Sequence, residues 1–263
     1  MGQLLKYEGY IFDLDGTIYL SNRLLANADQ VIAFLQDKRK KIVFLSNKPI
    51  ESRQAYASKL NRMGIHVTID NIVNSSLVTA LCISQEKPGA IVYVIGEPPL
   101  VEELEAAGLR ITTDPYQAEF LVVAFDRTFN YDKLHAAMIA LNNGARYFAT
   151  NPDRTCPVDG GEIPDCAGMM GAIEGVTGRR PELICGKPSP QMLKTALERL
   201  QLPASACLMI GDRLETDIQM GMDLQIDTAL VLTGVTKRQM LATINITPTY
   251  VLESVADFLK EEC

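Results

Sequence analysis

GYIFDLDGTIYL, residues 9–20, carries three apolar residues, Tyr10, Ile11 and Phe12, straight into two aspartates, Asp13 and Asp15, with one leucine between them. The apolar run reads as a buried strand, and Gly16 lets the chain turn at its end. On an extended strand, residues i and i+2 face the same way about 7 Å apart, and the turn brings their carboxylates closer. Two like charges at that spacing are costly unless a cation or a reaction engages them.

Outward from this strand the pattern repeats. Ala28–Lys38 reads as a helix with Val31, Ile32, Phe34 and Leu35 inward, KIVFLSN (41–47) as a second strand, and Ser52–Met63 as a second helix. Strand and helix in alternation predict the α/β class, a doubly wound parallel sheet with both faces covered. In such a sheet ligands bind at the carboxyl ends of the strands. The first strand delivers Asp13 and Asp15 to that edge, and the second delivers Ser46 and Asn47.

The far end of the chain does the same. ELICGKPSP (182–190) presents Lys187 after an apolar run, with Ser189 and Pro190 placed as N-cap and first-turn proline of a helix Gln191–Leu200. ACLMIGDRLETD (206–217) is a strand ending in Gly211 and Asp212, followed by a helix with Asp217 in its early turns, and TALVLTG (228–234) is a further buried strand. Residues 1–80 and 184–263 are thus expected to form one core domain. Residues 81–183 alternate separately: strands in AIVYVIG, EFLVVAF and RYFATN, helices at Leu100–Ala107, Tyr131–Asn142 and Ala167–Val176. A hundred residues of this kind hold a core of their own, and predict an inserted α/β domain at the sheet edge. Within it NPDRTCPVDGGEIPDCAG (151–168) reads as the longest irregular loop, and such loops are often functional.

Composition narrows the function classes. With 263 residues, 47% hydrophobic and 22% charged, the chain builds its core without disulfides or a structural metal. A net charge of -7 argues against nucleic acid as a partner, and the one basic run, Lys38–Lys41, suits a helix C-terminus. Six cysteines without a CxxC and two histidines, His66 and His135, give neither a zinc pattern nor a disulfide framework, and are assigned to packing or surface. No apolar run approaches the roughly 18 residues of a membrane span. The N-terminus lacks the succession of a signal peptide, and Lys6 spoils the acylation pattern that Gly2 suggests. The expectation is a reduced, cytoplasmic compartment with neither membrane nor nucleic acid as partner.

At the shared edge, Asp13, Asp15 and Asp212 form a carboxylate cluster whose all-oxygen donors favour Mg²⁺ as cofactor. Lys187 adds a positive charge, and Ser46 and Asn47 add hydrogen-bond donors. Acidic ligands, one metal, one lysine and a hydroxyl make a phosphate site. A carboxylate can serve there as nucleophile through an aspartyl-phosphate. Asp13 attacks, and Asp15, two residues on, protonates the leaving oxygen and then deprotonates the hydrolytic water.

DLDGT, LSN, GKPSP and GDRLETD, in this order, resemble the four motifs of the haloacid dehalogenase superfamily of phosphatases. The insertion between the second and third motifs is similar to the cap of the class IIA branch, the NagD-type and 4-nitrophenylphosphatase-like hydrolases. The likeness extends over essentially the whole chain, including VNSSLVTA, GARYFATNPD and VLTGV, and is strongest toward bacterial sugar phosphatases of the arabinose-operon type. The resemblance implies Asp13 as nucleophile and Asp15 as general acid/base. It also implies Ser46, Asn47 and Lys187 as phosphate ligands, and Asp212 as a metal ligand alongside Asp13 and the Asp15 backbone carbonyl. Asp217 would steady that cluster. Asn151 and Asp153 resemble the family's cap-core motif and are expected near substrate. The second motif departs from the commoner TNN: Ser46 keeps a hydroxyl, but Lys48 stands where asparagine is usual. Arg53 reads as a helix-surface arginine, and Arg154, Glu162 and Asp165 as solvated loop charges.

The expected function is a Mg²⁺-dependent phosphomonoesterase for small phosphorylated metabolites, sugar phosphates foremost, with 4-nitrophenyl phosphate as a surrogate. The inserted cap is expected to close over the substrate. Nucleoside monophosphates, phosphoglycolate and pyridoxal phosphate present the same phosphoryl group. A phosphomutase and a phospho-receiver are rival readings; the receiver needs neither a leaving-group acid at i+2 nor a hundred-residue insertion. The resemblance also allows a homodimer through the cap.

Overall fold

A computed structural model describes residues 3–158, 160–242 and 244–262. Gly2 and Cys263, read above as an acylation position and as a packing or surface thiol, lie outside the described residues, as does Asp159 of the expected loop.

In chain order the elements are β1 (Gly9–Asp13), β2 (Tyr19–Leu20), β3 (Arg23–Leu24), α1 (Ala28–Asp37), β4 (Lys41–Ser46), α2 (Arg53–Arg62), β5 (Ile72–Asn74), α3 (Ser75–Glu86), β6 (Ile91–Ile95), α4 (Pro98–Ala106), β7 (Arg110–Thr112), β8 (Phe120–Val123), α5 (Tyr131–Asn142), β9 (Arg146–Ala149), β10 (Thr155–Val158), β11 (Gly161–Pro164), α6 (Cys166–Thr177), β12 (Leu183–Ile184), α7 (Pro190–Leu200), β13 (Cys207–Gly211), α8 (Gln219–Asp223), β14 (Asp227–Val231) and β15 (Tyr250–Leu252). They fall into two compact units, Met1–Ser46 with Arg53–Val73 and Lys187–Cys263, and Asn47–Ser52 with Asn74–Gly186.

The first unit is built on a sheet of strand order β15-β14-β13-β1-β4-β5. β1 pairs in parallel with β13 and β4, Phe12 opposite Ile210 and Asp13 opposite Leu45. That register makes Asp13, Ser46 and Gly211 leave the sheet at the same edge. All five residues of β1 and of β13 are buried. Since successive side chains point to opposite faces, full burial means that both faces are covered. Val31, Ile32 and Leu35 of α1 are buried in this core, and Phe34 packs against it partly exposed, with the Lys38 ammonium 4.6 Å over its ring. Ser189 caps α7, its hydroxyl accepting the Gln191 N–H at 3.4 Å, with Pro190 at the first position. Helix ends lie within a residue or two of the sequence reading, the scale at which ends fray.

Two expectations are corrected. Asp217 is carried not by an ordinary α-turn but by a π-helical turn, Leu214–Ile218, that runs into α8. The turn sets the Asp217 side chain against Gly211, where a methyl would overlap it, and such turns recur at functional sites.

The second correction falls in the other unit, a parallel sheet of order β12-β9-β8-β6-β7. Its core joins Ile95, Leu121, Val123, Tyr147 and Ala149 to Ala137, Leu141, Cys166, Met169 and Ile173 of α5 and α6. The expected irregular loop holds an antiparallel hairpin, β10 on β11, with Thr155 opposite Pro164 and Val158 opposite Gly161. Gly160, at φ 90°, turns the chain, and in a two-stranded ribbon a proline such as Pro157 can sit on an open edge. His66 and His135 are exposed, the latter's ring 6.5 Å from Tyr131. Among the described residues no helix is long and apolar enough to cross a membrane.

Candidate active site

At the strand-end edge of the first unit, Asp13, Asp212 and Asp217 bring carboxylate oxygens within 4.8 Å of one another. Their exposures are 6%, 1% and 0%, and Lys187 beside them is 3% exposed. β1 delivers Asp13, the step after β13 delivers Asp212, the π-turn delivers Asp217, and the segment before α7 delivers Lys187.

Lys187 bridges two of the acids: its Nζ donates to Asp13 Oδ1 and, at 2.6 Å, to Asp217 Oδ1. The second Asp217 oxygen accepts the Arg213 N–H at 3.1 Å. Asp13 Oδ2 has one longer bond, from Thr17 Oγ1 at 3.4 Å. Asp212 Oδ2 accepts the Val235 N–H at 2.5 Å, and the Asp212 carbonyl accepts from Thr236 at 3.1 Å.

Burial sets the electrostatics. It holds the Asp13 carboxyl well above the ordinary carboxylate range; Lys187 opposes, while Asp217 and Asp212 add to the rise. Asp212 is pushed up to about 6, first by burial and then by Asp217, with the Val235 N–H pulling the other way. Burial works against the Lys187 ammonium, yet the Asp13 and Asp217 charges outweigh it and hold it protonated above its usual range.

Three carboxylates against one lysine leave an excess of negative charge in a buried place. The donors are all oxygen, two of the acids resist ionising alone, and the adjacent Thr236 hydroxyl is buried without a partner among the described residues. That donor set fits a hard divalent cation.

Asp15 is half-buried and bridges by its backbone to Tyr19, and its side chain stands outside the three-acid group. Ser46 is buried with its hydroxyl donating to the Tyr56 hydroxyl at 3.0 Å. Sequence reasoning missed Tyr56, Thr17 and the Thr233–Thr236 segment. Tyr56 is a polar residue one turn into α2, Thr17 lies inside DLDGT, and of the last segment Thr233, Gly234 and Val235 lie inside VLTGV while Thr236 follows it.

The remaining predicted residues meet in the second unit. Asn47 Nδ2 donates to Asp153 Oδ2 at 3.0 Å, and Asn151 Nδ2 donates to Asp153 Oδ2 at 3.1 Å and to Asp165 Oδ1 at 3.0 Å. Thr150 donates to Asn151 Oδ1 at 2.8 Å. Asp165, read as a solvated loop charge, is 2% exposed and caps α6, which corrects that reading. Its carboxyl is raised by burial, against the pull of Asn151, the Cys166 N–H and Lys48. Arg53 opens α2 half-buried.

Comparison with known proteins gives concordant matches. The family model described as haloacid dehalogenase-like hydrolase matches residues 10–110, and a HAD-hydrolase-like model matches residues 184–258. Sugar-phosphatase AraL of Bacillus subtilis is 42% identical over 254 residues, covering 96% of this chain and 92% of that protein. The solved p-nitrophenyl phosphatase from Archaeoglobus fulgidus is 37% identical with a TM-score of 0.92, covering 97% and 99% of the two chains. Glycerol phosphate phosphatase Rv1692 from Mycobacterium tuberculosis, solved in complex with magnesium, is 28% identical with a TM-score of 0.89, covering 96% of this chain and 76% of that one.

Proposed function

The chain belongs to the haloacid dehalogenase-like hydrolase family, and on that premise we propose a Mg²⁺-dependent phosphomonoesterase that hydrolyses small phosphorylated metabolites, sugar phosphates foremost, and 4-nitrophenyl phosphate as a surrogate. The observation that carries it is the Asp13 carboxylate, buried at the strand edge, one oxygen held by Lys187 and the other bound, among the described residues, only by a long contact from Thr17. The sugar-phosphate class rests on the likeness to AraL, and the surrogate on the likeness to the p-nitrophenyl phosphatase.

In this reading residues 1–80 and 184–263 are the catalytic domain and residues 81–183 the inserted cap. Asp13 Oδ2 attacks phosphorus, forming an aspartyl-phosphate as the ester oxygen leaves. Asp15 gives that oxygen a proton, then takes one from the water that cleaves the acyl-phosphate. Lys187, Ser46 and Asn47 hold the phosphoryl oxygens, and Lys187, fixed by Asp13 and Asp217, keeps its charge while doing so. Asp13, Asp212 and the Asp15 carbonyl would hold Mg²⁺, with Asp217 orienting Lys187 behind them. The ion, when bound, neutralises charge on the transferring group. Asn151 and Asp153 are taken as substrate contacts. A cytoplasmic location and a homodimer through the second unit belong to the same proposal.

Asp13→Asn keeps the shape and removes the attacking oxygen. It is expected to abolish turnover of 4-nitrophenyl phosphate, and activity near wild type in that variant sinks the mechanism. A screen of phosphomonoesters with and without Mg²⁺ reads the substrate class.

A further inference from the structure

Asp212 is gripped by a segment that lies outside the four motifs. After β14 the chain runs Thr233-Gly234-Val235-Thr236, and this stretch touches Asp212 from two sides. The Val235 N–H donates to Asp212 Oδ2 at 2.5 Å, and the Thr236 N–H to the Asp212 carbonyl at 3.1 Å. The segment therefore fixes both the main chain and the side chain of one acid.

Two glycines make the grip possible. A methyl group on Gly234 would overlap the Asp212 carboxylate, and one on Gly16 would lie 2.6 Å from Asp212 Oδ2 and 3.1 Å from the Gly234 Cα. The carboxylate is sandwiched between two bare backbones, one from the turn that follows Asp15 and one from the segment after β14. Thr233 ties them together: its hydroxyl donates to the Gly16 carbonyl at 2.6 Å. With Oδ2 committed to Val235, Asp212 Oδ1 has no hydrogen-bond partner among the described residues.

We infer that Thr233–Thr236 is a positioning clamp for the metal-ligating carboxylate: it occupies Asp212 Oδ2, aims Oδ1 at the cation, and through the Thr233 hydroxyl fixes the Asp15–Gly16 turn on the other side. Thr233 and Gly234 are its positioning residues. The inference rests on the proposed Mg²⁺ site, and concerns how this chain's own atoms prepare it. Removing outer partners of metal ligands typically weakens metal binding 10–100-fold, because the ligand loses its fixed orientation.

The test is calorimetric titration of the metal-free protein with Mg²⁺ alone, beside its melting temperature in chelator. Thr233→Val removes the hydroxyl at nearly constant volume and is expected to weaken Mg²⁺ binding roughly tenfold or more, with little change in the melting temperature. Thr233→Ser is expected to restore the affinity. Gly234→Ala, which drives a methyl into the carboxylate, is expected to weaken binding further. Unchanged affinity in Thr233→Val beside normal uptake by wild type overturns the clamp alone. So does an affinity loss that Thr233→Ser fails to reverse, or one that scales with a falling melting temperature. A wild-type protein that takes up no Mg²⁺ overturns the clamp and the proposed metal dependence together.

Discussion

Replacing Lys187 by methionine removes one buried positive charge and leaves two buried acids behind. The ammonium contacts Asp13 and, at 2.6 Å, Asp217, and all three side chains are at most 9% exposed. At an effective dielectric of about 20, two unit charges 2.6 Å apart attract by about 6 kcal/mol. Desolvation offsets much of that, and removing one partner of a buried pair typically costs about 3–5 kcal/mol, since the other charge stays buried and unpaired. At about 2–4 °C per kcal/mol for a domain of this size class, Lys187→Met is expected to melt about 6–20 °C below wild type at pH 8 in chelator.

The pH dependence separates this cause from lost packing. Asp13 already titrates well above its ordinary range through burial, opposed by Lys187. Without the ammonium its folded-state value rises further, while the unfolded value stays near 4. A carboxyl raised on folding contributes stability that is full below the unfolded value and is lost as pH rises through the folded one. The variant is thus closest to wild type at low pH and furthest below it at pH 8. Scanning calorimetry of both proteins at pH 5 and pH 8 reads the difference, and Asp217→Asn added to the variant is expected to recover part of it. A deficit equal at both pH values, or one under about 1 kcal/mol, refutes the electrostatic account.

Two further outcomes are expected. Because Asp212 is pushed up to about 6 by burial and by Asp217, a proton must leave before a cation binds; Mg²⁺ affinity is expected to fall as pH drops below 6 and binding to release protons, and a titration that is flat between pH 5 and pH 7.5 refutes this. In the second unit a methyl on Gly186 would meet the Thr150 carbonyl at 2.5 Å and Asn47 Oδ1 at 2.7 Å, so Gly186→Ala is expected to destabilise by about 1–3 kcal/mol through overpacking, with an unchanged denaturation midpoint as the contrary result.

The residues legible in the sequence are those whose signal is local. Asp13, Ser46 and Asp212 each follow an apolar run, and in a parallel sheet the register puts such ends at one edge. What stayed hidden depends on contacts distant in the chain or on missing atoms. Thr233 meets Gly16 across 217 positions, and no periodicity reports that pairing. Gly211 and Gly234 matter through the side chain they lack. The π-turn under Asp217 has the same apolar spacing as an ordinary helix start, and the β10–β11 hairpin was obscured by Pro157, a residue that argues against a strand in every setting but an open edge. Asp165 read as solvated because its partners, Asn151 and the α6 N-terminus, are recognisable only once the strand β9 and the hairpin are in place.

Three acids so close raise the question of which attacks, and in the proposed mechanism the hydrogen bonds favour Asp13. Asp217 has both oxygens committed, one to Lys187 and one to the Arg213 N–H, which suits the orienting role proposed for it. Asp212 has Oδ2 committed to Val235 and flanked by the bare backbones of Gly16 and Gly234, and in the proposed site its other oxygen serves the cation. Asp13 has Oδ1 on Lys187 and Oδ2 on a long contact that a hydroxyl rotation releases. The lysine that pins one oxygen of Asp13 also carries the charge a phosphoryl group needs, so attack by the second oxygen and neutralisation of the product are set by a single bridging contact. Exchanging the roles of Asp13 and Asp217 would require that bridge to turn over, and on that ground the proposed mechanism assigns the nucleophile to the i, i+2 pair in DLDG and not to the acid in the π-turn.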